Sequence, residues 1–337
     1  METTQIRLAR RPVGAPDAGT FATVTETLPE VDDGEVLLAV RYLSLDPYMR
    51  GRLSDAPSYA DPVAVGDVIV GGTVAEVLES RYDGLAVGDQ VLSYSGWQTH
   101  EVVRGETLRK LDPDLAPTST ALGVLGMPGF TAYAGLLQIG KPQPGETVVV
   151  AAATGPVGSA VGQIAKLKGA RAVGIAGGPD KVRALTEEFG FDVGVDHRAE
   201  DFRDQLAAAV PDGIDVYFEN VGGAVFDAVR RHLNLYARIP VCGLVANYNA
   251  TEAPSGPDRM PGLFGQVLTK SLTIRGFIMG EFVAAHYRDF LREMGGWVRD
   301  GDVRYREDVV EGLENAPEAF AGMLRGTNFG KLLVRVS

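Results

Sequence analysis

Residues 151–165 read AAATGPVGSAVGQIA, and they directly follow the β-branched run TVVV at residues 147–150. This order predicts a buried strand, a tight glycine turn and a helix of small residues, which is the layout of a dinucleotide-binding turn. Gly155 lets the backbone approach a pyrophosphate, and Gly158 lets the helix pack closely on the strand. The three glycine positions of the pattern are occupied by Ala153, Gly155 and Gly158.

The start of this helix supplies the groups that bind the anion. Pro156 suits the first helical turn, because its missing N–H is not needed there. The free N–H groups of this turn, beginning at Val157, and the positive end of the helix face the pyrophosphate. We therefore predict a dinucleotide site at the turn; a glycine turn that serves packing alone is the alternative.

Composition and charge narrow the class of protein. The 337 residues, 45% hydrophobic and 23% charged, are enough for a sizeable core in two domains or one large one. The formal net charge of −12 argues against nucleic acid or an anionic membrane as a partner. The N-terminus lacks the apolar core of a signal peptide, and no apolar run is long enough to span a bilayer. We expect a cytoplasmic protein with a small-molecule ligand.

Potential metal ligands are few in this chain. Cys242 is the single cysteine, and the four histidines are scattered, which excludes a disulfide framework and a thiolate-rich zinc site. Because no Cys, His and carboxylate cluster has ligand-like spacing, we predict no bound metal. A nucleophilic thiol stays open, but Cys242 ends the apolar run IPVCG, which favours an inert buried cysteine.

The predicted secondary structure changes character twice along the chain. Short β-branched runs between Gly, Asp and Pro turns predict an irregular β-rich domain over residues 1–125. Strands, glycine turns and helices alternate over residues 126–299, which predicts a doubly wound parallel α/β sheet. Residues 300–337 return to β-like segments. The simplest arrangement inserts the second domain in the first, with a ligand cleft between them.

Six apolar segments are predicted as the strands of the parallel sheet. They lie at 148–153, 171–176, 193–196, 216–219, 237–243 and 272–277. Helices are predicted after the first four, near 157–168, 180–189, 199–209 and 224–233. Residues 249–262, rich in Pro, Gly and Ser, predict a loop that covers the active site, because ligands bind at the carboxyl ends of such strands.

The end of the second strand distinguishes NAD from NADP. Proteins that bind NAD usually carry an acidic residue there, which holds the adenosine 2′-hydroxyl. Here the strand ends with Ala176, Gly177 and Gly178, and Lys181 follows at the start of the next helix. An ammonium at this position attracts the 2′-phosphate of NADP. We predict NADP as the cofactor; a solvated surface lysine is the alternative.

Six motifs, in this order, resemble the zinc-independent medium-chain dehydrogenase/reductase superfamily, and within it the prostaglandin, alkenal double-bond and curcumin reductases. The motifs are LDPYMRG (45–51), GMPGFTAY (126–133), AAATGPVG (151–158), YFENVGG (217–223), VCG (241–243) and NFGK (328–331). The resemblance covers nearly the whole chain. It implies a Rossmann sheet inserted in a GroES-like domain, and NADPH-dependent reduction of a carbon–carbon double bond conjugated to a carbonyl.

The resemblance also implies which residues contact NADP(H). Lys181 matches the phosphate-binding lysine, and Asn220 matches an asparagine near the ribose. His197 stands where many relatives carry a tyrosine that contacts the 2′-phosphate; histidine can donate a hydrogen bond there and, if protonated, adds charge. The other matched contacts are Thr131, Cys242, Gly243, Leu244, Tyr248, Phe277, Ile278, Met279 and Asn328.

Hydroxyl donors are the predicted catalytic groups. Hydride addition to the β-carbon places negative charge on the carbonyl oxygen, and a proton must then reach the α-carbon. We predict Tyr48 and Tyr59 as donors, and the curcumin reductase branch has a tyrosine pair at similar spacing. Tyr248 is a third candidate, and ordered water or the cofactor's ribose hydroxyl is the alternative proton source.

Several further features leave alternatives open. Arg50 and Arg52 are candidates for holding a substrate carboxylate. A quinone or carbonyl reductase and a non-catalytic NADP-binding protein are the alternative functions. Residues 272–277 either pair with a second subunit, as the resemblance implies for a homodimer, or are covered in a monomer. Candidates for an apolar substrate wall are Phe21, Met127, Phe264, Phe277, Met279 and Phe282.

Overall fold

The computed structural model describes residues 1–252 and 256–336, which form two compact units. Unit 1 comprises Met1–Gly123 and Glu307–Ser337, and unit 2 comprises Val124–Arg306. Strands and helices are numbered in chain order. The predicted fold class is confirmed, since unit 2 is built on a parallel sheet and unit 1 on a largely antiparallel one.

Unit 1 contains two sheets. Its strands are β1 (Glu2–Leu8), β2 (Phe21–Thr27), β3 (Glu35–Ser44), β4 (Thr73–Ser80), β5 (Gln90–Ser93), β6 (His100–Arg104), β7 (Arg109–Lys110), β14 (Glu307–Glu311) and β15 (Lys331–Arg335). Its helices are α1 (Met49–Arg52) and α9 (Ala316–Leu324). The C-terminal strand β15 pairs antiparallel with β3, so that Leu333 faces Ser44. The end of the chain therefore completes a sheet that the first 123 residues begin.

The sheet of unit 2 has the doubly wound strand order. Its strands are β8 (Thr147–Ala151), β9 (Arg171–Ala176), β10 (Val193–Asp196), β11 (Ile214–Phe218), β12 (Leu233–Val241) and β13 (Thr273–Gly276). They are parallel and lie in the order β10-β9-β8-β11-β12-β13. The order reverses between β8 and β11, and ligands bind beyond the strand ends at such a point.

Helices flank the strands of unit 2. They are α2 (Met127–Ala134), α3 (Pro156–Leu167), α4 (Pro179–Glu187), α5 (Phe202–Ala209), α6 (Gly223–Val229), α7 (Met260–Lys270) and α8 (Gly280–Asp300). A core cluster that includes Val149, Ile175, Tyr217 and Ile239 is fully buried. Both faces of this sheet are covered, which explains why its strands are continuous apolar runs rather than alternating ones.

Several boundaries differ from the prediction, and the fifth strand and the covering loop are two of them. The fifth strand begins at Leu233 rather than residue 237, because Leu233 is buried and pairs with Ile214 before an irregularity in the register. Tyr236, with a φ of +65°, lies within this irregular stretch, which hides the strand from a periodicity argument. The predicted covering loop 249–262 overlaps the start of α7, and its residues 253–255 lie outside the described residues.

In the part of the chain that the structure describes, no helix is both long and apolar enough to cross a membrane.

Candidate cofactor site and active site

The turn between β8 and α3 is shaped by two glycines. A Cβ atom at Gly158 would lie 2.4 Å from the carbonyl oxygen of Ala152 and 2.7 Å from the Cα of Ala153. At Gly155 the nearest atom would be the same carbonyl oxygen, at 3.3 Å. Gly158 is therefore required for the turn itself, whereas Gly155 keeps the outer side of the turn open.

The same turn exposes hydrogen-bond donors at the start of α3. The N–H of Ser159 donates to the carbonyl of Gly155 at 2.9 Å, so the N–H groups of Val157 and Gly158 precede the first helical hydrogen bond. Pro156 has no N–H and occupies the first helical position. Two free donors at the positive end of a helix fit the pyrophosphate of a dinucleotide.

Basic side chains meet over Gly177, directly after β9. A Cβ atom at Gly177 would lie 2.8 Å from both the Nε2 of His197 and the Nε of Arg198. The charge of Lys181 also acts on His197, so the structure brings three basic residues together at the end of the second strand. Arg198 was not among the predicted residues, and only its position next to His197 in the sequence could have indicated a role in this cluster.

The electrostatics of this cluster depend on Asp196, the last residue of β10. Its carboxylate accepts hydrogen bonds from the N–H groups of Gly178 and Arg198, both at 2.9 Å. Burial alone would raise the pKa of Asp196, but these hydrogen bonds lower it below its usual value. Desolvation and the charges of Arg198 and Lys181 lower the pKa of His197, so its ring is neutral at neutral pH.

Glu219, directly after β11, organises the ends of the fourth and fifth strands. Its Oε1 accepts hydrogen bonds from the Tyr217 hydroxyl at 3.0 Å and from the N–H groups of Val221 and Gly222 at 2.6 and 2.8 Å. Its backbone carbonyl accepts from the N–H of Cys242 at 2.9 Å. Glu219 stands in the YFENVGG motif, but the sequence alone does not indicate this role.

The Glu219 side chain is buried with only part of its hydrogen-bonding capacity used. It is 2% exposed, and its Oε2 has no hydrogen-bond partner within the described residues. Burial raises the pKa of Glu219, although the N–H donors of Gly222 and Val221 oppose the shift. The loop after β11 is thus held by a carboxyl group that resists ionisation.

The loops after β11 and β12 pack against each other. The N–H groups of Val245 and Ala246 donate to the carbonyls of Asn220 and Val221. A Cβ atom at Gly243 would lie 3.1 Å from the Tyr248 hydroxyl. These contacts bring together four of the predicted cofactor residues, which are Asn220, Gly243, Leu244 and Tyr248.

The surroundings of Asn220 and of Cys242, another predicted cofactor residue, are defined by these loops. The Asn220 amide donates to the Ala151 carbonyl at 2.8 Å, which ties the loop after β11 to the end of β8. Burial and the nearby Glu219 raise the pKa of the Cys242 thiol to about 12. Cys242 is therefore a neutral thiol at neutral pH, consistent with the expected inert cysteine.

The remaining cofactor candidates of unit 2 lie on two elements. Thr131 is buried in α2 and donates its hydroxyl hydrogen to the Met127 carbonyl at 2.8 Å. Phe277, after β13, is buried with its ring 6.2 Å from that of Phe218. The next two residues, Ile278 and Met279, lead into α8, and Ile278 is 43% exposed.

The tyrosine candidates lie in unit 1. Tyr48 precedes α1 and is partly buried, whereas Tyr59 is 62% exposed. Burial raises the pKa of Tyr48, and the charges of Asp46, Tyr94 and Tyr59 raise it further. Tyr48 therefore keeps its proton throughout the physiological range and is a hydrogen-bond donor. Tyr94, which acts on Tyr48, was not among the predicted residues, because it lies in none of the six motifs.

Three other residues of unit 1 that were predicted to bind substrate or cofactor make contacts within the protein. Arg50 is 6% exposed and donates to the Gly14 carbonyl at 2.8 Å, a position unlike that of an exposed carboxylate anchor. Phe21 stacks on Trp97 with ring centroids 5.5 Å apart and packs against a second buried cluster, which lies in unit 1 and includes Leu8 and Phe320. The Asn328 amide donates to the Gly330 carbonyl at 2.9 Å, next to β15.

Each of the two units contains a segment that matches a family model. Residues 4–111 match the N-terminal domain of oxidoreductase, and residues 156–295 match the model described as zinc-binding dehydrogenase. Among the residues that the structure describes, no group of three or more His, Cys, Asp or Glu side chains is placed to hold a metal ion.

The chain is similar to characterised reductases over nearly its whole length. It is 56% identical to the NADPH-dependent curcumin reductase of Escherichia coli, covering 98% of this chain and 96% of that protein. It is 42% identical to prostaglandin reductase 1 of Bos taurus, with 96% of each chain covered. The crystal structure of CurA from Vibrio vulnificus in complex with NADPH superimposes with a TM-score of 0.95 at 53% identity over 99% of both chains. The chain therefore belongs to the zinc-independent medium-chain dehydrogenase/reductase superfamily, in the group of the curcumin and prostaglandin reductases.

Proposed function

We propose that this protein catalyses the NADPH-dependent reduction of the carbon–carbon double bond of an α,β-unsaturated carbonyl compound, an enal or enone. Its family membership makes it an NADP-dependent oxidoreductase. The observation that carries the proposal is its whole-length similarity to a curcumin reductase and to a reductase solved with NADPH. The identity of the physiological enone is left open.

The proposed cofactor contacts begin at the glycine turn. The N–H groups of Val157 and Gly158 would hold the pyrophosphate, with Gly155 and Pro156 shaping the approach. Lys181, together with His197 and Arg198 over Gly177, would hold the 2′-phosphate. NADPH, when bound, supplies a hydride. The further proposed contacts are Thr131, Asn220, Cys242, Gly243, Leu244, Tyr248, Phe277, Ile278, Met279 and Asn328.

The proposed catalytic groups are the two tyrosines of unit 1. Tyr48 would donate a hydrogen bond to the substrate carbonyl oxygen as negative charge develops there. Its raised pKa supports this role, because the phenol stays protonated at neutral pH. Tyr59 would be a second donor, and its exposure allows protons to be exchanged with solvent.

We also propose a cytoplasmic homodimer. Among the described strands of unit 2, β13 is at the edge of the sheet, and all four of its residues are exposed. The preceding helix α7 carries Met260, Phe264 and Leu268 at 50, 62 and 80% exposure, at a spacing that places them on one face. A second copy that pairs with this edge would cover both features. Light scattering that finds a monomer at micromolar concentration would contradict the dimer.

A substrate panel tests the proposed reaction. Purified protein is mixed with NADPH and separately with an enal, an enone, a quinone and a saturated ketone, and the absorbance of the reduced nicotinamide is followed. We expect NADPH oxidation with the enal and the enone, with the saturated carbonyl compound as product. Oxidation by the quinone alone, or reduction of the saturated ketone, would identify a quinone or carbonyl reductase. Tight NADPH binding without turnover on any compound would indicate a binding protein.

A further inference from the structure

A buried ion pair joins the C-terminal strand to the turn that precedes Tyr48. The Nζ of Lys331, the first residue of β15, lies 2.7 Å from the Oδ1 of Asp46 and donates to the Leu45 carbonyl at 2.8 Å. The other carboxylate oxygen of Asp46 accepts a hydrogen bond from the Ser44 hydroxyl. Lys331 is 2% exposed and Asp46 is 5% exposed, so both charges are out of water.

A second carboxyl group faces the same ammonium. The register of β14 on β15 places Glu307 opposite Lys331, and the Oε2 of Glu307 accepts from the Ser119 hydroxyl at 2.9 Å. Burial lowers the pKa of Lys331 although Asp46 and Glu307 oppose the shift, and burial raises the pKa of Glu307.

Such an arrangement contributes little net stability. The cost of removing two charges from water can equal or exceed their attraction, and apolar replacements are often neutral or stabilising. A buried pair at this position therefore calls for an explanation other than stability. The geometry of the adjacent turn provides one.

The pair fixes the backbone from which Tyr48 extends. Lys331 holds both the Leu45 carbonyl and the Asp46 side chain, so two consecutive residues are anchored to β15. The Asp46 carbonyl in turn accepts the N–H of Met49 at 3.1 Å, which closes the turn around Tyr48. Pro47 restricts the one intervening φ angle.

We propose that Lys331 and Asp46 are positioning residues that set the orientation of the Tyr48 hydroxyl for the reduction. This inference rests on the proposed role of Tyr48 as hydrogen-bond donor to the substrate. The ion pair would act on turnover through Tyr48, because both of its side chains are almost completely buried. A misplacement of a catalytic group by about 1 Å lowers turnover by roughly 10²-fold.

A double-mutant cycle tests the proposal. The pair is replaced as a whole by Asp46→Leu with Lys331→Met, which removes both of its charges and so favours a folded protein. The Glu307 carboxyl group that remains keeps its hydrogen bond from Ser119, and burial raises its pKa and favours its neutral form. We expect this pair variant to lower kcat for an enone by roughly 10-fold to 10²-fold, with the KM for NADPH within about twofold of the wild type. In a Tyr48→Phe background the same replacement should cause no further loss. An unchanged kcat, or losses that multiply in the combined variant, would overturn the inference.

The cycle separates this inference from the function that it rests on. If Tyr48→Phe alone leaves kcat unchanged, the role of Tyr48 is wrong and the inference falls with it. If Tyr48→Phe lowers kcat and the pair variant does not, only the positioning role is wrong.

A spectroscopic readout checks position without turnover. Protein carrying ¹³Cζ-labelled tyrosine gives a signal for Tyr48 that is assigned by its loss in Tyr48→Phe. We expect that signal to shift or broaden in the pair variant, and an unchanged signal would contradict the proposal. The matched control is the Glu146–Arg238 ion pair of unit 2, at 2.5 Å, replaced by Glu146→Leu with Arg238→Met. This control should leave the Tyr48 signal unchanged.

Discussion

Glu219 in unit 2 and Asp46 in unit 1 are both buried acids that follow a strand, but their partners lie at very different distances along the chain. The donors to Glu219 are Tyr217, Val221 and Gly222, all within three residues. The cation that faces Asp46 is Lys331, 285 residues later. The donors to the Glu219 side chain are thus local in sequence, whereas the turn at residues 45–49 is completed only when the C-terminal strand β15 pairs with β3.

The largest expected effect concerns the contact between Asp46 and Lys331, which are far apart in the sequence. Lys331→Met leaves the Asp46 charge buried without its cation, and we expect the free energy of unfolding to fall by about 3–5 kcal/mol. Adding Asp46→Leu should restore most of that loss. Urea unfolding measures both variants. A single variant within about 1 kcal/mol of the wild type would show that water reaches the Asp46 carboxylate and that the turn does not depend on β15.

Substitutions in the turn between β8 and α3 test a feature that depends on residues close together in the sequence. We expect Gly158→Ala to cost up to about 3 kcal/mol, because its Cβ would lie 2.4 Å from the Ala152 carbonyl oxygen. Gly155→Ala is the matched control, since its nearest contact is 3.3 Å and should cost under about 1 kcal/mol. Thermal unfolding compares the two variants. Equal costs would mean that the turn adapts and that glycine is not required by packing.

Cofactor selectivity tests the basic cluster at Gly177. Lys181→Ala would remove the proposed charge-assisted hydrogen bond to the 2′-phosphate. Such a bond is worth about 1.5–3 kcal/mol, so we expect the KM for NADPH to rise roughly 10-fold to 10²-fold. The KM for NADH should barely change, because NADH has no such phosphate. Steady-state kinetics with both cofactors measures the difference. Equal effects on the two would place Lys181 outside the phosphate site. Arg198→Ala tests the added residue in the same way.

The smallest expected effect is the pH dependence that Glu219 contributes. Its pKa is raised from the usual 4.5, so the folded state binds the proton more tightly than the unfolded state does. The contribution of Glu219 to the free energy of unfolding therefore falls as the pH rises above 4.5. Glu219→Gln should make the decline in unfolding free energy between pH 5 and pH 8 shallower. An identical slope in the variant would show that Glu219 is ionised without penalty.

The parallel sheet was predictable because its signals are local. Each strand of unit 2 is an apolar run followed by a turn and a helix, and the predicted runs match the observed strands to within a few residues. The turn at Gly155 and Gly158 needs only its own neighbours to be recognised. The early end of α6, at Val229 rather than near residue 233, and the early start of β12 are departures that accompany one tertiary contact, the pairing of Leu233 with Ile214.

The contacts between distant residues were not predictable. Asp46 and Lys331 both stand in motifs quoted from the sequence, but their contact depends on the register of β15 against β3. Arg50 resembles a surface arginine in the sequence, and only the fold buries it against Gly14. Arg198 lies near Gly177 because β10, the strand that precedes Arg198, pairs with β9. The order of strands in a sheet cannot be inferred from single residues.

The most direct test of the proposed reaction is the fate of the transferred hydrogen. The protein is incubated with an enone and NADPH that carries deuterium at the transferable position of the nicotinamide, and the product is analysed by NMR. We predict a saturated ketone with deuterium on the carbon β to the carbonyl. An allylic alcohol with deuterium on the carbonyl carbon, or deuterium at the α-carbon, would contradict the account.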